Sequence, residues 1–283
     1  MGTITKDLEA TTDLEYSAGE LICACLARRI IDGEVVALGL ATPMGAAAAL
    51  LAKKLHAPNI FIASAIATSV TIDPPQMSLT DAEARWTEAA LTKSSFVQGA
   101  ADYLPTVMPK EFFRPGQVDK HGNTNNVSIG KDYRSPRLRM PGVGGVPDVS
   151  VFMSEMILYV PRHSRVAFPK KLDFISGLGH SQNRRAGSGP RYLVSDLGQF
   201  DFLDGNMRLT HLHPGVILDR VIAKTGFELA VASDLQTSEL PTQEELELLR
   251  TEIDPLGMRE LEMLSGAKRR QALRTIVQQD VKT

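Results

Sequence analysis

Four stretches hold residue types that can bind or transform a small molecule. PGVGGVPD, Pro141 to Asp148, has three glycines in four residues. Glycine lets backbone N–H groups approach a ligand closely and turn at positive φ. Gly144 and Gly145 are therefore candidates for holding a carbonyl and the oxyanion that grows on it, with Gly142 and Val143 beside them. A tight connection between two strands has the same composition. It is not a dinucleotide fingerprint, because Pro147 stands where the third glycine belongs and the βαβ context lies elsewhere. QVDKHGNTNN, Gln117 to Asn126, offers Asp119, Asn123 and Asn125, which either serve their own loop as Asx-turns or form a polar rim beside a ligand. DFISGLGH, Asp173 to His180, ends an apolar run in two glycines, a serine and a histidine. His180 is a candidate proton carrier, and a strand-ending loop has the same look. HLH puts His211 and His213 on one face of a strand. No cysteine or paired acid stands near them at ligand spacing, so no metal is expected. A nucleophile elbow and a Walker loop are both absent.

The elements that must position these stretches begin with SAGE, Ser17 to Glu20, a capping box. An apolar helical stripe of Leu21, Ile22, Cys25 and Leu26 follows, with Cys23 beside it, and Gly33 ends the helix. The two cysteines point away from each other on the helix and read as packing residues, with no disulfide. VVALGL, 35–40, is a buried strand. Thr42-Pro43 opens an alanine-rich helix to about His56. NIFIASAIATSV, 59–70, then reads as a second buried strand, which makes a βαβ unit of a parallel sheet. A helix follows SLTD near Asp81, and Pro105 to Gly130 reads as a long loop excursion. MILYV, RVAF, DFISG, YLVS, FDF and MRLTHL carry strand signals spaced for hairpins or a mixed sheet. A helix starts at HPGV, and PTQEE is a further capping box through Thr242 and Glu245.

The composition is that of an ordinary globular protein, 43% hydrophobic and 23% charged over 283 residues. A formal charge of −2 gives no reason to expect nucleic acid or an anionic membrane. No uncharged apolar run reaches the length of a membrane span. The polar, acidic start MGTITKDLEATTDLEYS is neither a secretory signal nor, with Lys6 at the small-hydroxyl position, a myristoylation site. A reducing cytoplasm fits the cysteine usage.

Taken in order, these segments resemble the β subunit of the class I CoA-transferases, of the glutaconate CoA-transferase type, from about Ser17 to Pro255. ELICACLARRIIDGEVVALGLATPMGAAAALLAKKLHAP looks like that family's first βαβ unit, and RMPGVGGVPD is similar to its glycine loop, with Val146 where alanine is usual. QVDKHGNTN, LDFISGLGH, YLVSDLGQFDF, MRLTHLHPGV and IDPLGMR are also similar to family segments. The resemblance is nearest to a branch in sterol-degrading bacteria. It implies an α/β fold with an open, mostly parallel sheet flanked by helices, a coenzyme A thioester as substrate and no bound cofactor. It also implies an α subunit as partner, in an α2β2 assembly.

In the transferases a strand-end glutamate attacks the acyl-CoA thioester and becomes a glutamyl-CoA thioester. The resemblance places that residue at about Ala63, with the family's Glu-Ser-Gly replaced by Ala63-Ser64-Ala65, and no residue from Asn59 to Ile72 is acidic. The expectation is a family domain over 1–255 and a charged helical extension over 256–283. Gly144 and Gly145 are expected to form the thioester and oxyanion loop. Gly142, Val143, Ser64, Asn123 and Asn125 are expected to line the CoA site. Three functions stay open: hydrolysis or ring-opening C–C cleavage of a CoA-linked β-keto ring, CoA transfer between carboxylic acids, and non-catalytic acyl-CoA binding.

Overall fold

The computed structural model describes residues 14–153, 155–182, 184 and 187–281. The expectations about the first 13 residues lie outside them. Helix α1 (Ala18–Ala27) starts at the foreseen capping box: Ser17 accepts from Glu20 N–H, and the Glu20 carboxylate accepts from Ser17 N–H. Strand β1 (Val35–Leu38), helix α2 (Pro43–Leu55) and strand β2 (Phe61–Ser64) form the predicted unit, with β1 and β2 parallel. Thr42 does not cap α2 as its type suggests. Its hydroxyl donates to Gly39 O, and Glu262, from far along the chain, accepts Met44 N–H at 2.8 Å. A carboxylate is favourable at a helix N-terminus.

The stretch 59–70 is not one strand. After β2 the chain turns through Ala65–Thr68 and returns as antiparallel β3 (Ser69–Thr71), which pairs with β4 (Thr92–Lys93). Ala67 and Thr68 take φ of 56° and 44°. A β-branched residue there is an outlier, held by Thr68 Oγ1 donating to Ser94 O and Ser94 N–H donating to Thr68 O. No glycine or proline marks this turn, so it reads as strand.

The excursion from Pro105 is also corrected. Helix α3 (Ala82–Glu88) and short turns α4 (Phe96–Gln98) and α5 (Leu104–Val107) precede β5 (Lys110–Phe113), which is fully buried between β1 and a later strand. A four-residue strand that opens Lys-Glu lacks the apolar signal of a central strand. Only the part after it is loop-like, with two small ribbons: β6 (Gln117–Val118) with β7 (Thr124–Asn125), and β8 (Ser128–Ile129) with β9 (Leu138–Arg139).

After α6 (Val146–Phe152) come β10 (Glu155–Val160), β11 (Pro190–Ser195), β12 (Gly198–Leu203), β13 (Asn206–Leu212), α7 (Leu218–Lys224) and β14 (Ala230–Thr237). The ten-stranded sheet runs β14-β13-β12-β11-β10-β5-β1-β2-β3-β4. Its five central strands, β11 to β2, are parallel, and the outer pairs are antiparallel except β13 with β14. RVAF and DFISG are turns and loop rather than strands. Ala167 and Phe168 of the first are buried in the core on one sheet face, whereas Phe174 and Ile175 of the second are exposed.

Alternation along the strands separates two cores. Val36, Leu38, Ile62 and Phe112 face α1 and α2, whereas Phe113, Met156 and Leu158 face α6. Helix α8 (Gln243–Glu247) starts at the Thr242–Glu245 capping box, and α9 (Gly266–Asp280) packs Ile276 on Met258 and Leu261. Among the described residues no helix is long and apolar enough to cross a membrane. Cys23 and Cys25 are buried and free, and burial pushes the Cys25 thiol up to about 12.

Candidate functional site

Three of the four stretches singled out from sequence meet in one cluster beside α6. Thr124 N–H donates to Gly177 O, and Ser176 N–H donates to Thr124 O. His180 N–H donates to His121 O at 2.7 Å, and Gly179 N–H to Asn123 Oδ1 at 2.9 Å. The glycine loop joins through Gly142 N–H, which donates to Asn126 O, and Leu178 N–H donates to Ser150 Oγ on α6. His211 and His213 stay apart on β13 and just after it. His213 is buried, with Nδ1 against Ser238 Oγ and Nε2 against Ser195 O. Burial holds it down at about 4.

Close backbone approach explains the glycines of SGLGH. A Cβ at Gly179 would lie 2.2 Å from His121 O and 2.3 Å from Asn123 N. Those atoms are backbone and cannot swing aside, so Gly179→Ala is expected to destabilise by about 1–3 kcal/mol. Urea denaturation checks it, and an unchanged midpoint would contradict this packing.

Asn123 and Asn125 serve the loop itself. Asn123 donates to Asp119 Oδ2 and accepts from Gly179. Asn125, fully buried, donates to Gln117 Oε1 and Ser128 O, and accepts from Val127 and Ser128 N–H. That exhausts an amide's two donors and two lone pairs, so Asn125 has nothing left for a ligand. His180 Nε2 lies against Pro190 O at 2.6 Å.

The glycine loop is half open. Gly142 and Gly144 take φ of 109° and 50°, and Gly145 lies against Phe96 and Val149. The N–H groups of Val143, Gly144 and Gly145 donate to no partner among the described residues. They stand just before α6, whose first turn closes on the Gly145 carbonyl.

On the strand side, Ala63 is half-buried near the end of β2. Ser64 alternates to the other face, that of Ile62 and α2, and its Oγ accepts Ile66 N–H at 3.0 Å. It therefore does not share a surface with Ala63. The register sets Ala63 opposite Ala37 on β1, Ala37 opposite Glu111 on β5, and Glu111 opposite Met156 on β10. Phe113, two residues on from Glu111, lies in the core facing α6. Ala63, Ala37 and Glu111 thus form one lateral row on the glycine-loop side of the sheet. Glu111 is 8% exposed, and its Oε2 has no hydrogen-bond partner among the described residues. Burial raises its carboxyl to about 8. Sequence reading passes over it because it lies in a segment that looks like loop. The available signal is Lys-Glu-Phe-Phe, in which period-two alternation puts the acid and the second phenylalanine on one face.

Residues 20–224 match the family model described as coenzyme A transferase. The chain is 30% identical over 257 residues to the B subunit of 3-oxoadipate CoA-transferase from Pseudomonas knackmussii, covering 83% of this chain and 92% of the relative. It is 29% identical over 255 residues to the cholesterol ring-cleaving hydrolase IpdB subunit of Mycobacterium tuberculosis, covering 86% and 98%. The crystal structure of the decarboxylase AibA/AibB superposes with a TM-score of 0.76 at 26% identity, covering 87% of this chain and 98% of that one. A match over this much of the sequence, on a sheet and glycine loop laid out as described, fixes the kinship: the chain is a β-type subunit of an enzyme of the coenzyme A transferase family.

Proposed function

We propose that the chain works with an α subunit on an acyl-CoA thioester with water as acceptor, opening a CoA-linked β-keto ring. The observation that carries the reading is the methyl group of Ala63 at the end of β2, with no acid from Asn59 to Ile72. CoA transfer proceeds through a carboxylate that becomes an anhydride and then a thioester, and a methyl group does neither. Hydrolysis needs only water and proton-carrying groups. A β-keto thioester suits it, since C–C cleavage leaves a carbanion stabilised as the thioester enolate. The M. tuberculosis relative, a ring-cleaving hydrolase subunit by name, supports this branch. The free N–H groups of Gly144 and Gly145 suit a thioester oxygen. Relatives named as B subunits, and the two-component AibA/AibB, support a partner α chain; in the proposed α2β2 assembly that chain supplies a further carboxylate. Two buried thiols suit a reducing cytoplasm.

Adding hydroxylamine or borohydride to the complex during turnover is expected to trap no CoA on this chain while the CoA ester is consumed by water. A glutamyl-CoA adduct on it would overturn the reading. The second reading, true CoA transfer, is favoured by the 30% identity to the 3-oxoadipate CoA-transferase relative. It predicts ping-pong exchange of CoA between two carboxylic acids, which an isotope-exchange assay detects.

A further inference from the structure

We infer that Glu111 is this chain's own proton-carrying acid in the active site, delivering a proton to the carbon expelled when water cleaves the CoA-linked β-keto ring. This rests on the hydrolytic reading above, and it places one essential group on this chain in addition to any on the partner.

Glu111 and Ala63 share a row and a face, two strands apart, which is about 10 Å between Cα atoms. The residue between them is Ala37, so no bulky side chain rises from β1 in this row. A glutamate side chain spans part of that gap, over Ala37, which is 3% exposed. The carboxyl also has an unfilled role. A buried polar atom without a partner costs free energy, so an unpaired carboxyl oxygen in a core calls for a reason.

The electrostatic surroundings keep the group neutral. On its own face the neighbours Phe113 and Met156, with Val149 of α6 and Met153 just after it, are apolar. The charged groups of adjoining elements are engaged elsewhere. Lys110 reaches Arg29 O, Glu34 and Glu155, and Arg114 pairs with Glu262 on the α2 side. Arg184 donates to Ser150 O and Val151 O on α6, and Asp148 is exposed in the first turn of that helix. Burial is the sole cause of the raised carboxyl. A neutral carboxylic acid at pH 7 is a proton donor.

Atoms and electrons balance in the step. Water adds to the ring ketone carbon, and the bond from that carbon to the carbon α to the thioester breaks. The bond's electron pair goes to the α carbon as the thioester enolate. The Glu111 O–H bond breaks and its proton goes to that carbon. The proton lost by the attacking water restores the acid, and the products are a free carboxylic acid and an intact CoA thioester on one opened chain.

The test uses the assembled complex and the CoA thioester of 2-oxocyclohexanecarboxylic acid, the minimal cyclic β-keto thioester, which opens to pimeloyl-CoA. Glu111→Gln keeps the shape and is expected to lower kcat at least about 100-fold with KM little changed. It is also expected to remove the fall in kcat above about pH 8, where the wild-type acid ionises. Infrared difference spectra of wild type against E111Q should show a carboxylic-acid band at pH 7 that moves when the probe is added. Turnover by E111Q within about threefold of wild type with the same pH profile, or a band that does not move, overturns the inference and leaves the hydrolytic reading standing. If the wild-type complex converts neither this probe nor any other CoA thioester with water, that reading fails and this inference fails with it.

Discussion

Arg259→Met is expected to lower the unfolding free energy by about 3–5 kcal/mol, because it leaves the buried Asp254 carboxylate without its cation. Arg259 is 5% exposed between Asp254 and Glu20. It donates to Asp254 Oδ2 at 3.0 Å and to Glu20 Oε1 at 2.9 Å. Glu20 keeps Arg250, but among the described residues the Asp254 carboxylate keeps only the N–H groups of Met258 and residue 259. Urea denaturation checks the loss, and a change below about 1 kcal/mol would show that the pair behaves like a surface one.

The pH dependence has a definite sign. Burial alone would raise the Glu20 carboxyl, but the hydrogen bonds from Arg250 and Ser17 and the charges of Arg259 and Arg250 bring it down to about 2. A carboxylate lowered on folding contributes stability above its unfolded value near 4.5, lost as pH falls towards 2. The part of the Arg259→Met deficit that comes from Glu20 should therefore shrink across that window. The network also has a structural reach. It fixes the turn that carries Glu262, whose carboxyl takes Met44 N–H, the Tyr159 hydroxyl and Arg114. Loosening it should loosen the start of α2 and the packing behind β1 and β2.

The parts of the fold that could be read from sequence carry their signal in neighbouring residues. Ser17 with Glu20, and Thr242 with Glu245, state their helix starts within four residues, and both caps form. The β1-α2-β2 unit and the strands of β10 to β13 have periodicity enough to stand out. What could not be read is set by distant contacts. β5 is central because β1 and β10 pair with it, and its Lys110 is tolerable there only because Glu34, Glu155 and Arg29 O receive it. The β2–β3 turn uses alanine and threonine in a left-handed conformation, held by Ser94 across the sheet. The charged stretch after Pro255 reads as an appendage, yet Arg259 and Glu262 are buried among residues more than 100 positions away. In the site, the glycine cluster showed in composition. The row of Ala63, Ala37 and Glu111 exists only through strand register, which no local pattern states.

Ala63→Glu is expected to turn a chain that captures no CoA into one that does. If the sheet retains the transferase geometry, the new carboxylate stands at the end of β2 on the glycine-loop face. Incubating the variant complex with an acyl-CoA should then add the mass of CoA to this chain through a bond that hydroxylamine cleaves and borohydride reduces. The wild type should show no such mass. Glu111 refines the expectation, because two carboxyls that converge across Ala37 disfavour ionising together. The new group should take the charge, since Glu111 is already held neutral by burial. Capture by A63E should accordingly survive addition of Glu111→Gln, while ring opening by that double variant should not. Loss of both together in a folded double variant would mean that Glu111 acts on the architecture of the row rather than on a proton. A folded A63E complex that binds acyl-CoA but gains no mass would show that β2 no longer ends where the transferase chemistry requires it.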